Sequence, residues 1–258
     1  DPYGGPTYYM EKGLGEEKGH KWWLIPAAIF GGGIFSTFFI TVQNYTVSEA
    51  VSAAFGIKII YASIIYIVCN YILIIGGIKS LGKFYLIEAG ARGGGSNLSG
   101  KIVPFMCVFY VGAALYIVAI NIGNLPATLG LVFKGAFTGT AAAGGFAGAA
   151  FSQVMRIGMA RSVFSNEAGW GSSPMIHASA QTDHPIKQGL WGAFEVFIDT
   201  IVVCTLTCLV IIITGVWSSG ATGATLTLNA FATGMGSASK IFIATGIFLF
   251  GVTTSSGW

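Results

Sequence analysis

Between Phe164 and Pro174 the chain reads Phe-Ser-Asn-Glu-Ala-Gly-Trp-Gly-Ser-Ser-Pro, setting a carboxylate, an amide, hydroxyls and two glycines between two helix-forming, largely apolar segments. Upstream, Gly148 to Val163 is rich in small residues. Downstream, Ser172 or Ser173 suits an N-cap, Pro174 suits the first helical position, and Met175 to Ala180 resume the helix. In hydrocarbon every backbone N–H and C=O needs a partner, so an unwound stretch survives only if buried in protein or lining a polar cavity. The freed groups can then serve a ligand. The half-helix beginning near Pro174 turns its positive end to an anionic group, and the carbonyls ending the half-helix before Ser165 suit a small cation. This pairing suits the joint passage of a carboxylate-bearing solute with Na⁺ or H⁺.

Other residues add chemistry to the break. Glu167 lies inside it, where an ionisable group costs several kcal/mol unless paired, so it reads as functional or as a structural carboxylate pairing with Arg156 or Arg161. Glu195 and Asp199, spaced i, i+4, share one helix face as an ion relay or as packing groups. Gln43 and Asn44 on the first span bind a solute or join helices. Thr253, Thr254, Ser255 and Ser256, followed by Gly257 and Trp258, bring hard oxygen ligands for Na⁺ beside a small pocket, or pack helices. His177 is a proton relay or a hydrogen-bonded core histidine.

Positioning these groups requires membrane helices. The 258 residues are 53% hydrophobic and only 9% charged, with a mean hydropathy of +0.72, against roughly 25% charge in soluble domains. The fold class is therefore all-α integral membrane. The 38 glycines favour close helix packing. A net charge of +3, scattered among loops, gives no footprint for nucleic acid. Cys69, Cys107, Cys204 and Cys208 lie in apolar runs without ligand spacing, so no transition metal and no cofactor is expected.

About six crossings follow, one of them discontinuous. Residues 1–21 are a solvated loop with a short helix at most. Apolar spans run over about 22–55, 59–78 and 102–122, the last exiting at Asn121, Asn124 and Pro126. Residues 79–101 form a loop, with a short helix over 84–89 at most. The broken helix covers about 145–181, a further span 189–217, then a Gly/Thr/Ser-rich linker and a last span from Ser239. Loops 1–21, 79–101 and 182–188 hold three, four and one Lys or Arg, which puts the first residues on the cytoplasmic side. The start without Met and the end inside an apolar run are read as an internal fragment of a longer protein.

Two other classes fit poorly. An intramembrane serine hydrolase would need Ser172 with His177 or Glu167, but Gly-Trp-Gly-Ser-Ser is not a nucleophile elbow and i, i+5 separates the faces of Ser172 and His177. A channel would need repeated pore-lining charge or a filter motif.

The break motif, with Ala178, His184-Pro185, Gln188-Gly189, Phe197-Ile-Asp-Thr200 and Cys204-Thr205-Leu-Thr207, resembles the signature of the alanine or glycine:cation symporters, also called sodium:alanine symporters. Gly4-Gly-Pro-Thr-Tyr-Tyr, Gln43-Asn44, Gly76-Gly-Ile-Lys79, Val103-Pro-Phe-Met106 and Thr254-Ser-Ser-Gly-Trp258 extend the resemblance over nearly the whole chain. It implies a leucine-transporter-like inverted-repeat bundle, with core helices three to eight in this single transmembrane domain. It also implies alternating-access uptake of alanine or glycine with Na⁺ at the cytoplasmic membrane. The substrate-binding set is then Gln43, Asn44, Ser165, Asn166, Glu167, Gly169, Thr254, Gly257 and Trp258, and the Na⁺-binding set Ser165, Thr253 and Thr254. A carrier of another small solute coupled to H⁺ on the same fold is the alternative. Three departures stand out: residues 84–100 read as an insertion, Ser162 replaces a usual Gly, and the family's first unwound helix lies outside these residues.

Overall fold

The computed structural model describes residues 4–37, 42–75, 98–137, 146–165, 171–178 and 182–257, and every regular element among them is helical. Three helices pack closely together: α3 (Val42–Phe55), α4 (Ile59–Ile75) and the last helix, α12 (Ser239–Gly257). An Ile- and Tyr-rich run such as α4 would favour a strand in water. It is helical here, the one open-ended conformation that satisfies its own backbone in lipid. Its buried residues Ala62, Tyr66 and Asn70 recur every four positions, while Ile60, Ile64, Ile67, Val68 and Tyr71 face outward. Gly56, at φ +69°, ends α3, and Ser52 Oγ donates to Ile57 O at 2.7 Å, so the α3–α4 turn is closed from within. At Gly251 a side chain would collide with Val47 Cγ2 and approach the Tyr66 hydroxyl to 3.3 Å. Glycine therefore permits this crossing, and Tyr66 OH donates to Gly251 O at 2.8 Å across it.

The segment expected as a linker after residue 217 is instead a core element. Helix α11 (Gly223–Met235) buries Ala224, Leu228, Ala230 and Phe231, the last three at 0% exposure. It packs with α5 (Leu98–Ile120), α10 (Cys204–Ile213) and α12 around Ala113, Ala114, Ile117, Val210 and Ala244. The Gly, Ala and Thr content that resembles a linker is the small-residue composition that lets membrane helices approach closely. Gly234 shows the need: a Cβ there would lie 2.6 Å from Ile117 Cγ1.

The third expected span also changes shape. α5 already begins at Leu98, so residues 98–101 are helix rather than loop, and at Asn121 the chain turns through 74° into α6 (Leu125–Phe137) by way of a 3₁₀ turn. Asn121 Nδ2 donates to Ile117 O at 2.9 Å, holding a carbonyl at the bend. The first apolar stretch appears as α2 (Leu24–Thr37) and α3, on either side of residues outside the described set. The polar start is more ordered than a loop: α1 (Pro6–Met10) continues as a π-helical segment, Glu11–Glu17.

The continuous helix Pro185–Ile213 joins α9 (Pro185–Val196), a π-helical segment over Phe197–Val203, and α10. At 29 residues it is about 43 Å long, enough to cross roughly 30 Å of hydrocarbon with tilt. Among the described residues it alone passes a test of length and apolarity as one unbent helix, with the bent α5–α6 pair as a second candidate. Ile186, Leu190, Trp191, Phe194, Phe197 and Ile201 are exposed along it. The outward face of α4 is apolar and exposed in the same way, and runs of exposed apolar side chains along whole helices suit a lipid-facing surface.

Candidate functional site

Helix α7 (Phe146–Ser165) and the short α8 (Ser172–His177) flank the motif. Gly171 stands between them at φ +67°, a left-handed conformation that no continuous right-handed helix passes through. α8 is therefore a separate helix, and it starts at Ser172 rather than at Pro174, which becomes its third residue. A Cβ on Gly171 would collide with Pro6 and lie 2.8 Å from Phe30 Cε2, and one on Gly4 would collide with Ala178. The Gly-Gly-Pro start and α2 thus clamp α8. Asn166, Glu167, Gly169 and Trp258 lie outside the described residues.

Both halves flanking the break are fastened to the long helix Pro185–Ile213. Ser165 Oγ, on the last residue of α7, donates to Asp199 Oδ2 at 2.6 Å and lies 3.4 Å from Cys204 Sγ. At the far end of α8, His177 Nδ1 pairs with Gln188 Nε2. Since an amide nitrogen only donates, Nδ1 accepts, leaving Nε2–H to donate to Glu195 Oε2 at 3.1 Å. The i, i+4 spacing of Glu195 and Asp199 therefore brings two carboxylates to the same broken helix, one on each side of the break. The π-helical segment surrounds Asp199, and such wide turns occur often at functional sites. Next to it, Thr200 Oγ1 is buried with no hydrogen-bond partner.

The remaining predicted residues gather around the Val47–Gly251 crossing. Gln43 and Asn44 lie within about a turn of Val47, while Thr253 and Thr254 lie within a turn of Gly251. Asn44 Oδ1 accepts from Ser48 Oγ at 3.2 Å, and Ser48 in turn accepts from Ser63 Oγ at 2.9 Å. Asn44 thus joins α3 to α4. Thr253 Oγ1 donates to Phe250 O at 2.9 Å, Tyr66 OH meets Ser255 Oγ at 2.6 Å, Thr254 is exposed and Gly257 ends α12.

A cavity of about 540 Å³ is lined by Thr46 of α3 and Arg161 of α7 among others, and by none of the described residues of the predicted site. One structural contact carries no sequence signal, because its partners lie 175 residues apart or more. Glu49 accepts from Thr225 Oγ1 at 2.9 Å and from Ala224 N and Thr225 N at 3.4 Å. It caps the positive end of α11 from a different helix. Gly223, at φ +60°, makes room for it, since a Cβ there would lie 2.6 Å from Glu49 Oε2.

A model of the sodium:alanine symporter family matches residues 1–258. The chain is 38% identical to a sodium/alanine symporter of Methanococcus maripaludis, over 99% of this chain and 53% of that protein. It is 39% identical to a probable sodium/glutamine symporter of Bacillus subtilis, over 96% of this chain and 48% of that protein. A Bacillus subtilis amino-acid carrier protein is 34% identical, over 98% of this chain and 50% of that protein. The chain spans about half the length of the curated relatives it matches.

Proposed function

Because the chain belongs to the sodium:alanine symporter family, we propose that it forms the central part of a membrane carrier that couples Na⁺ entry to uptake of alanine or glycine by alternating access. The family is one of transporters, so the function is transport and not catalysis. This function is supported by Asp199 and Glu195, on one helix, holding the two halves of an interrupted helix, through Ser165 at the rim of α7 and His177 at the far end of α8. On this reading the substrate carboxylate meets the N-terminal end of α8, with Asn166, Glu167 and Gly169 as its neighbours. Gln43 and Asn44 on α3, with Thr254, Gly257 and Trp258 on α12, complete the pocket. Na⁺ takes hydroxyl and carbonyl oxygens from Ser165, Thr253 and Thr254, and Asp199, already bonded to Ser165, supplies the neutralising charge.

The fold proposed is the leucine-transporter-like inverted repeat, with about six crossings in these residues and residue 1 on the cytoplasmic side of the cell membrane. Uptake of labelled alanine into proteoliposomes, by the protein at the full length its gene encodes, tests the function. Replacing Na⁺ with choline is expected to abolish uptake, and Glu167→Gln to reduce it at least ten-fold. Uptake indifferent to Na⁺ removes the coupling assignment. The His177–Glu195 contact supports the second reading, H⁺ coupling, in which a pH gradient drives uptake without Na⁺.

A further inference from the structure

The 540 Å³ cavity is reached from α7 by Arg161, one turn before the break, and three of the four hydroxyls on its wall have a definite hydrogen-bonding sense. Thr207 Oγ1 sends its proton to Val203 O at 2.7 Å, so Tyr110 OH, 2.6 Å from Thr207 Oγ1, must donate to it. Thr46 Oγ1 likewise donates to Val42 O at 2.9 Å. Three hydroxyls on the wall therefore offer only lone pairs to anything inside. Arg161 offers the opposite: five N–H donors and a full charge, with no carboxylate among the described lining residues. Glu49, the nearest carboxylate on α3, is occupied by the start of α11. Thr227 adds a fourth hydroxyl, able to accept as well as donate, and the rest of the wall is apolar, including Met106, Phe109, Phe242 and Phe250.

An occupant that satisfies this wall carries an anion for Arg161, a multiply donating cation for the hydroxyl lone pairs, and an apolar group for the aromatic side. We propose that the cavity is a second binding site, for a zwitterionic amino acid with a bulky apolar side chain. A fatty acid would meet Arg161 but leave the lone pairs without donors, and a simple cation would oppose Arg161. The volume falls within the roughly 300–1,000 Å³ of small-molecule sites and exceeds what a methyl side chain fills. The site lies outside the break and takes a different ligand, so it stands independently of alanine transport.

The test is binding of labelled leucine to the protein at the full length its gene encodes, in phosphatidylcholine nanodiscs. The wild type is expected to bind leucine saturably. Arg161→Gln is expected to weaken binding about ten-fold or more, the loss tied to one hydrogen bond to a charged group, with Arg161→Lys falling between. Phe109→Ala, which leaves every polar group in place, is expected to weaken leucine more than it weakens alanine. Saturable binding with this order of variants supports the site; no leucine binding, or binding unchanged in Arg161→Gln and Phe109→Ala, overturns it. Phosphatidylethanolamine carries the same pairing of anion and ammonium, so a second set of discs contains it. Loss of leucine binding there assigns the cavity to lipid and overturns the amino-acid assignment. A Thr227→Cys thiol that a small methanethiosulfonate reagent cannot reach in the folded protein means the space is filled by protein, which also overturns it. Alanine uptake, read separately in vesicles, tests the break and leaves this result unaffected.

Discussion

The hydroxyl of Ser165 carries one proton and directs it at Asp199. One lone pair meets Cys204 Sγ at 3.4 Å and the other stays open, so the Ser165–Asp199 pair can give oxygen ligands to a cation without first breaking the bond between them. Two substitutions separate the contributions. Ser165→Ala removes one ligand and is expected to raise the Na⁺ concentration for half-maximal uptake several-fold, whereas Asp199→Asn removes the charge and is expected to raise it more. Uptake titrated against Na⁺ in each variant reads the difference, and two unchanged curves would exclude the pair from the ion site. Glu49 is a structural carboxylate by the same reasoning, since the N–H groups and the Thr225 hydroxyl at the start of α11 use its oxygens. Glu49→Ala is expected to cost about 1–3 kcal/mol, seen as a lower Tm in detergent, with Glu49→Gln milder because one acceptor remains. The shared face of Glu195 and Asp199 was legible from spacing alone. Their partners, 18 and 34 residues away, were not, because i, i+4 reasoning reaches only along one helix.

At the level of elements, the interrupted helix was legible because a bilayer penalises polar and glycine residues inside an apolar segment unless the helix is broken there. Helix α11 was not, because Gly, Thr and Ser near Thr222 to Gly236 mark a loop in water and a close-packed helix among other membrane helices. The difference is set by neighbours rather than by local composition. Phe231 shows how much rests on it: the ring is fully buried and lies 5.2 Å from the Tyr110 ring. Phe231→Ala is expected to lose about 3–5 kcal/mol, measured by thermal unfolding in detergent, while a change at exposed Trp217 on the same connection should be nearly silent. The bend at Asn121 is hidden in the sequence for a related reason: an exit signal and a 74° turn into another helix use the same residues.

Among the described residues, large apolar side chains are spread over the outside while alanines pack with a few large ones such as Phe231 and Leu228 at the centre, the arrangement expected where lipid is the solvent. The Gly251 crossing has a mechanical consequence. With Val47 on one side and Tyr66 on the other, and the Tyr66 hydroxyl tied to Gly251 O, α12 cannot slide along α3 or α4 without breaking contacts that leave no slack. In the alternating access proposed above, these three helices are expected to travel as one block, with the rocking between outward and inward states left to α8 and its attachments on α9. Ser48→Cys with Ser63→Cys replaces hydroxyls 2.9 Å apart and welds two parts of the block, so oxidation should leave transport intact. His177→Cys with Gln188→Cys, a contact that runs through two long side chains, is tied by a short bifunctional methanethiosulfonate rather than by a direct disulfide, and that reagent should stop transport until a reductant is added.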